Sequence, residues 1–354
     1  MKTAIKEADI DVYYFNTSDH HMSEYVPEHF KTIAYFSGFS GSMATLLVDR
    51  EEAYIFVDGR YHVQADRQCL PNGVNVIKLG TEGALDPMAF IRKHYSDKVI
   101  GLDGKRTSTA FGKALKKEGL RIKSVDLYSD LIEDRPPLKK GPIRELAEKY
   151  SGLSRKKKME LISYCLGGKV HAVNNLESIA YLLNLRGCDI THTPVFLAYL
   201  VIMDQDFYLF CDLERFESEL LEKLYEDGVI IRPYETYYEF LLSIRNRQVI
   251  FDENKVNYES YLRIKGRGNQ IYHMRSIIED MKAIKNPVEQ ENMRLAHIYD
   301  GVAVLRFLMW LDQIDKSTIS EYDAARKIDS CRLEYKAEDL SFGSIVAYNE
   351  NAAQ

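Results

Sequence analysis

Two imidazoles and two carboxylates crowd into Ser18-Asp19-His20-His21-Met22-Ser23-Glu24-Tyr25, the densest polar constellation of the chain. Nitrogen and oxygen donors of this kind are what a bound metal ion requires, and Glu24 stands three residues after His21, about one helical turn away. Only two types of ligand group are clustered, and no second layer of donors flanks them. A polar loop following a strand accounts for the same residues, and loops of that kind commonly carry substrate contacts.

Other strings invite chemistry and resist it. Ser37-Gly38-Phe39-Ser40-Gly41-Ser42 has the small residues of a phosphate-cradling loop but neither the lysine nor the spacing, so a tight helix-to-strand turn is expected. Asn184-Leu185-Arg186-Gly187 reads as a helix exit with Gly187 as a left-handed cap. His297, near the start of an amphipathic helix, reads as structural. Arg155-Lys156-Lys157-Lys158 opens a helical stretch in an acidic chain and is expected to be a solvated face. Cys69, Cys165, Cys188, Cys211 and Cys331 lack the close pairs of zinc or redox sites, and reduced thiols are expected. Read one by one, these strings yield no dyad, triad or metal cluster.

The elements that must position such residues are of the α/β class. At 354 residues and 45% apolar composition the chain has material for two or three domains. Forty-seven basic against 53 acidic residues leave a net charge of −6, so no broad positive field exists to neutralise nucleic-acid phosphates. Charge interrupts the first residues before any apolar stretch long enough for a signal peptide, and no run of about 18 apolar residues follows. A cytoplasmic protein with neither nucleic-acid nor membrane partners is expected.

Strands are expected at 10–15, 45–48, 53–57, 74–79 and 99–102, with helical periodicity at 86–95 and 110–118. Three prolines and a glycine within 135–142 mark a linker. Beyond it the first pattern echoes: Ile33-Ala34-Tyr35-Phe36 and Tyr54-Ile55-Phe56-Val57-Asp58 return as Ile179-Ala180-Tyr181-Leu182 and Tyr208-Leu209-Phe210-Cys211-Asp212. Tandem domains of one architecture would produce this, with an extra loop at 189–194 in the second copy.

A third segment opens at Asn286, with Pro287 and Glu289 completing a helix start. Leu295, Ile298, Val302, Leu305 and Met309 then form one apolar stripe expected to face a core, and Thr318 with Glu321 suggests a second capping box. Residues 340–348 look like a strand. Two helices and one strand are too little for an independent core, so this third domain is expected to be incomplete.

Taken together, in order, the strings resemble the aminopeptidase P family of three-domain enzymes, within the group that includes prolidase and creatinase. The resemblance rests on Ser18-Asp19 with His21 and Ser23-Glu24-Tyr25; Ser37-Gly38-Phe39 with Gly41-Ser42; Asp58-Gly59-Arg60-Tyr61 with Gln64-Ala65; and Asn184-Leu185-Arg186-Gly187 with Asp189 and Pro194-Val195-Phe196. It continues through Lys285-Asn286, Met293-Arg294, Ala296-His297-Ile298 with Asp300, and Leu340-Ser341-Phe342. Departures are Tyr181, where a tryptophan is usual, and a shortened helix before Ile10. The tandem domains and the 184–196 string favour aminopeptidase P over prolidase or creatinase.

This resemblance implies an α/β fold of two tandem creatinase-N-type domains, 1–140 and 141–285, then at 286–354 the first helices and strand of a truncated pita-bread catalytic domain. It implies an Xaa-Pro aminopeptidase, a metalloenzyme in which two manganese ions, held by two aspartates, a histidine and two glutamates, share a hydroxide that attacks the bond before proline. The family places those ligands beyond the position of Gln354, so no catalytic or metal residue is assigned here, and this chain alone is expected to be inactive. His21, Glu24, Tyr25 and also Arg60 are nominated for a substrate-side loop. Peptides with proline second are the implied substrates, and a homodimer is implied when the catalytic domain is complete. The alternative is a non-catalytic peptide-binding or scaffolding module that has lost its metals.

Overall fold

A computed structural model describes residues 1–335 and 337–352. The first six strands are β1 Val12–Asn16, β2 Thr45–Asp49, β3 Ala53–Val57, β4 Asn75–Lys78, β5 Val99–Leu102 and β6 Arg121–Ser124. They form one sheet in the order β4-β3-β2-β1-β5-β6. β1 to β3 are antiparallel neighbours, while β4, β5 and β6 join in parallel. The second set is β7 Val170–Val173, β8 Tyr199–Met203, β9 Asp206–Phe210, β10 Val229–Arg232, β11 Gln248–Phe251 and β12 Gln270–His273. Their order, β10-β9-β8-β7-β11-β12, repeats the first strand for strand and sense for sense. The tandem architecture expected from the echoing strings is therefore present.

Central strands here bury both faces, which is why they read as apolar runs rather than alternating ones. In β1, Tyr13 and Phe15 enter a core shared with Ile33, Leu46 and Ala65, while Val12 and Tyr14 enter another on the opposite face. That second core is common to both sheets: Val170, Ala172, Tyr199 and Val201 pack into it from the far side. Between the sheets lie helices Pro87–His94, Thr109–Lys117, Tyr237–Leu241 and Tyr258–Ile264.

At the seam Ser108 and Asn257 each cap a helix, accepting from Phe111 N–H and Ser260 N–H, and the two residues form a bridge with each other. Gly112 is required by close approach, since a methyl group there would come within 2.4 Å of the Tyr258 ring. A signal for this seam stands in the sequence and was missed: Asp103 precedes Ser108 by the same spacing that separates Asp252 from Asn257.

Several local expectations need correction. Arg155 and Lys158 are buried rather than solvated: Arg155 pairs with Asp227 and Glu145, and Lys158 donates to Tyr181 O and Asn184 Oδ1 with its ammonium 3.8 Å from the Tyr181 ring centre. Burial pulls the Lys158 amine down to about 8. The left-handed residue at the helix exit is Asn184, not Gly187; Gly187 is instead needed because Phe196 Cβ would lie 2.7 Å from an added methyl.

In the third segment, helix Pro287–Gln313 begins with the expected Asn286–Glu289 capping box. The second box is Ser320 with Asp323, two residues later than expected, because Thr318 Oγ1 is spent on Asp315 O. The 295–309 stripe does not enter a core; Leu295, Ile298, Val302, Leu305 and Met309 are 36% to 63% exposed. No strand forms at 340–348, where Ile345 and Tyr348 are exposed, since a lone extended segment without a partner edge has nowhere to place its backbone hydrogen bonds. Among the described residues, no helix is long and apolar enough to cross a membrane.

Candidate functional site

A cavity of ≈ 490 Å³ opens where the two sheet units and the third segment meet. Glu24, Tyr25 and residues to Lys31 line it from the first unit, Pro136 and Pro137 from the linker, 189–192 from the second, and Phe342 and Gly343 from the third segment. Its lining is mostly apolar, with exposed Glu24 and Tyr25 at the edge.

The 18–25 loop is bent by Asp19. One carboxylate oxygen accepts from the backbone N–H groups of His21 and Ser23, and Met22 takes the left-handed region at φ 57°. The other Asp19 oxygen and Ser23 Oγ are buried without a hydrogen-bond partner. Left-handed backbone at a non-glycine residue costs about 1–2 kcal/mol and an unsatisfied buried polar atom about 1–3 kcal/mol, so this loop does not hold itself. Outside groups hold it. Buried Arg106 donates to Ser18 O, Phe30 O and Thr32 Oγ1, tying both ends of the excursion to one guanidinium.

The nominated residues separate. Glu24 and Tyr25 reach the cavity. His21 does not; it is fully buried in the second unit, with Nδ1 3.0 Å from Asn174 O, Nε2 2.8 Å from Tyr234 Oη, and its ring 4.5 Å from that of Tyr199. A carbonyl can only accept, so Nδ1 carries the proton and Nε2 accepts from the Tyr234 hydroxyl. Burial favours the same neutral ring, holding its pKa below the ordinary histidine value. Arg60 is at the surface, away from the cavity lining, and forks onto Asp58 at 2.9 and 2.8 Å.

Sequence reasoning missed the supporting wall. Asp189, fully buried, receives both Arg215 Nη2 contacts, at 2.6 and 2.8 Å, and the N–H groups of Gly141 and Leu197. His192 reaches Asp339 at 3.0 Å and Arg144 pairs with Glu338, joining this wall to the third segment. The clustered tyrosines at 234, 237 and 238 were the available signal for the polar seat around His21.

Among the described residues, no group of three or more His, Cys, Asp or Glu side chains is arranged to hold a metal ion. The donors of the 18–25 loop are dispersed: Asp19 serves the backbone, His21 the second unit and Glu24 the cavity. They do not fit a binuclear centre.

Comparison with known proteins converges on one family. Residues 1–135 and 134–289 each match a creatinase/prolidase N-terminal domain family. A probable Xaa-Pro aminopeptidase P of Aspergillus flavus is 32% identical over 377 residues, taking in 100% of this chain and 57% of that protein. Its counterpart in Sordaria macrospora is 31% identical over 384 residues, with 61% of that protein covered. The chain thus spans about three-fifths of the length of these relatives. Among solved structures, the X-prolyl aminopeptidase of Caenorhabditis elegans, described as a cytosolic enzyme with a di-nuclear active site, superposes with a TM-score of 0.86 at 28% identity. That match covers 94% of this chain and 57% of the other.

Proposed function

The chain belongs to the creatinase/prolidase group as the N-terminal portion of an aminopeptidase P, and on that premise we propose that it forms the peptide-side wall of an Xaa-Pro aminopeptidase. The activity proposed for the complete enzyme is release of the first residue from peptides with proline second, with two manganese ions as the cofactors that would supply the activating charge. A homodimer and a cytoplasmic setting belong to the same proposal. The relatives' names support the reaction, and the nematode enzyme's di-nuclear centre supports the pair of ions.

One observation in the chain itself carries the reading: Glu24 and Tyr25 stand together at the edge of a largely apolar cavity of ≈ 490 Å³ walled by all three segments. Proline's ring nitrogen offers no N–H, so a site for it has to read ring shape and the peptide's charged end. Apolar walls suit the ring. An exposed carboxylate beside a phenol suits an ammonium and a main-chain carbonyl.

The test is incubation of the purified 354-residue chain with an Xaa-Pro tripeptide, with and without manganese, alongside a binding titration of the same peptide. Binding weakened by Glu24→Ala, with no turnover in either condition, is expected. Turnover that a chelator abolishes would overturn the expectation that this chain is inactive alone. Failure of the peptide to bind would remove the cavity from the proposal.

A further inference from the structure

We propose that His21 is a positioning residue whose seating in the second sheet unit sets where Glu24 and Tyr25 stand in the cavity. The activity consequence rests on the peptide-site reading above; the geometry does not. His21 and Glu24 lie on one short turn folded by Asp19, whose backbone bonds to His21 and Ser23 make the two ends of that turn move as one piece.

The turn belongs to the first unit by sequence and to the second by contact. His21 Nδ1–H donates to Asn174 O at 3.0 Å, Tyr234 donates to its Nε2 at 2.8 Å, and Asn257 Nδ2 donates to His20 O at 2.8 Å. The receiving groups are themselves fixed. Tyr237 donates to Asn174 Oδ1, and the Tyr199 and Tyr237 rings stack at 3.9 Å. A left-handed methionine and a buried carboxylate oxygen without a protein partner weaken the turn's own preference for this shape, which rests on the two Asp19 backbone bonds. Arg106 of the first unit fixes the ends of the loop and the second unit seats the turn between them, so the lip of the cavity reports how the two units are apposed.

Neighbouring His20 supplies the contrast. Its ring packs on Phe30 of the first unit at 4.8 Å, and its hydrogen bond to the second unit is made by its backbone carbonyl. Replacing its side chain leaves that bond in place.

The test is amide hydrogen exchange on the 354-residue chain. His21→Ala is expected to speed exchange of the 18–25 amides at least about tenfold while β1 and β7 keep their protection. His21→Asn, which can still donate to Asn174 O, should restore part of it. His20→Ala should leave the loop protected. A separate titration with an Xaa-Pro tripeptide should show weaker binding for His21→Ala and intermediate binding for His21→Asn. Unchanged loop protection in His21→Ala, or equal loosening in His20→Ala, would overturn the proposal. Should His21→Ala fail to fold, Tyr234→Phe decides: faster loop exchange in a folded chain supports it, and no change overturns it. If the loop loosens as expected but the unaltered chain binds no peptide, positioning stands and the peptide-site reading falls.

Discussion

The loop that follows β1 and the loop that precedes β8 meet at the same cavity, yet they are held by opposite means. In the first unit Arg106 grips carbonyl oxygens and a hydroxyl, and among the described residues it has no ion-pair partner. In the second unit Arg215 forks onto Asp189, a buried pair with its remaining acceptor capacity filled by backbone N–H groups. The sheets beneath are the same in order and sense. Even the excursions trade places: β1 runs into residues 17–31 before its helix at Thr32–Ser37, whereas β7 passes through Asn174 and Asn175 straight into helix Leu176–Leu182. A duplicated frame keeps its topology while loops at different corners take up the work of a site.

Breaking the second unit's clamp should have the largest effect. Asp189→Ala strands a buried guanidinium and is expected to cost about 3–5 kcal/mol, read as a fall in the urea midpoint.

Acid should then divide the two units. Counting along the paired strands, Tyr13 in β1 and His171 in β7 occupy the same position, each bonded beyond the last strand of its sheet: Tyr13 to Val125 O at 2.6 Å, His171 to Ser276 Oγ at 2.8 Å. Burial pulls the His171 imidazole down to about 4 from an ordinary 6.5. Its folded value lies below its unfolded one, so the neutral ring is unpenalised above 6.5 and stability is lost as pH falls from there toward 4. Two and a half pH units correspond to about 3 kcal/mol at most. Burial also lowers His20 and His21, which adds to the loss at the interface. Tyr13 is neutral throughout. Exchange protection at pH 4.5 against 7.5 should therefore fall first in β7, β8 and β11 and at the seam, and equal loss in β2 and β3 would contradict the contrast.

Gly112→Ala should cost about 1–3 kcal/mol through the Tyr258 clash, lowering both units' protection together because the seam belongs to both. Glu24→Ala should change stability by less than about 0.5 kcal/mol, since the side chain is exposed, and its effect should be confined to peptide binding.

Much of this frame is legible in the sequence because buried strands and capped helices obey local rules. Ala53–Val57 is an apolar run bounded by turn residues, and Asn286 with Pro287 and Glu289 starts a helix wherever it stands. The site is less legible because its parts acquire their roles from distant partners. Nothing around His21 reveals that Asn174 and Tyr234 await it across the seam, and nothing in the basic run at 155–158 shows that two of its four charges turn inward. The 295–309 stripe marks the limit of pattern reasoning: periodicity predicts the helix correctly and says nothing of what lies opposite.

The apolar layer sandwiched between the two sheets has a consequence for how the polypeptide comes apart. Val12 and Tyr14 share that layer with Val170 and Tyr199, so neither half keeps a complete interior without the other. The halves are thus thermodynamic partners rather than beads on a string, and a single calorimetric transition is expected. A protease nick after exposed Lys139 in the linker would sever the covalent tie and leave the pieces docked as a complementing pair.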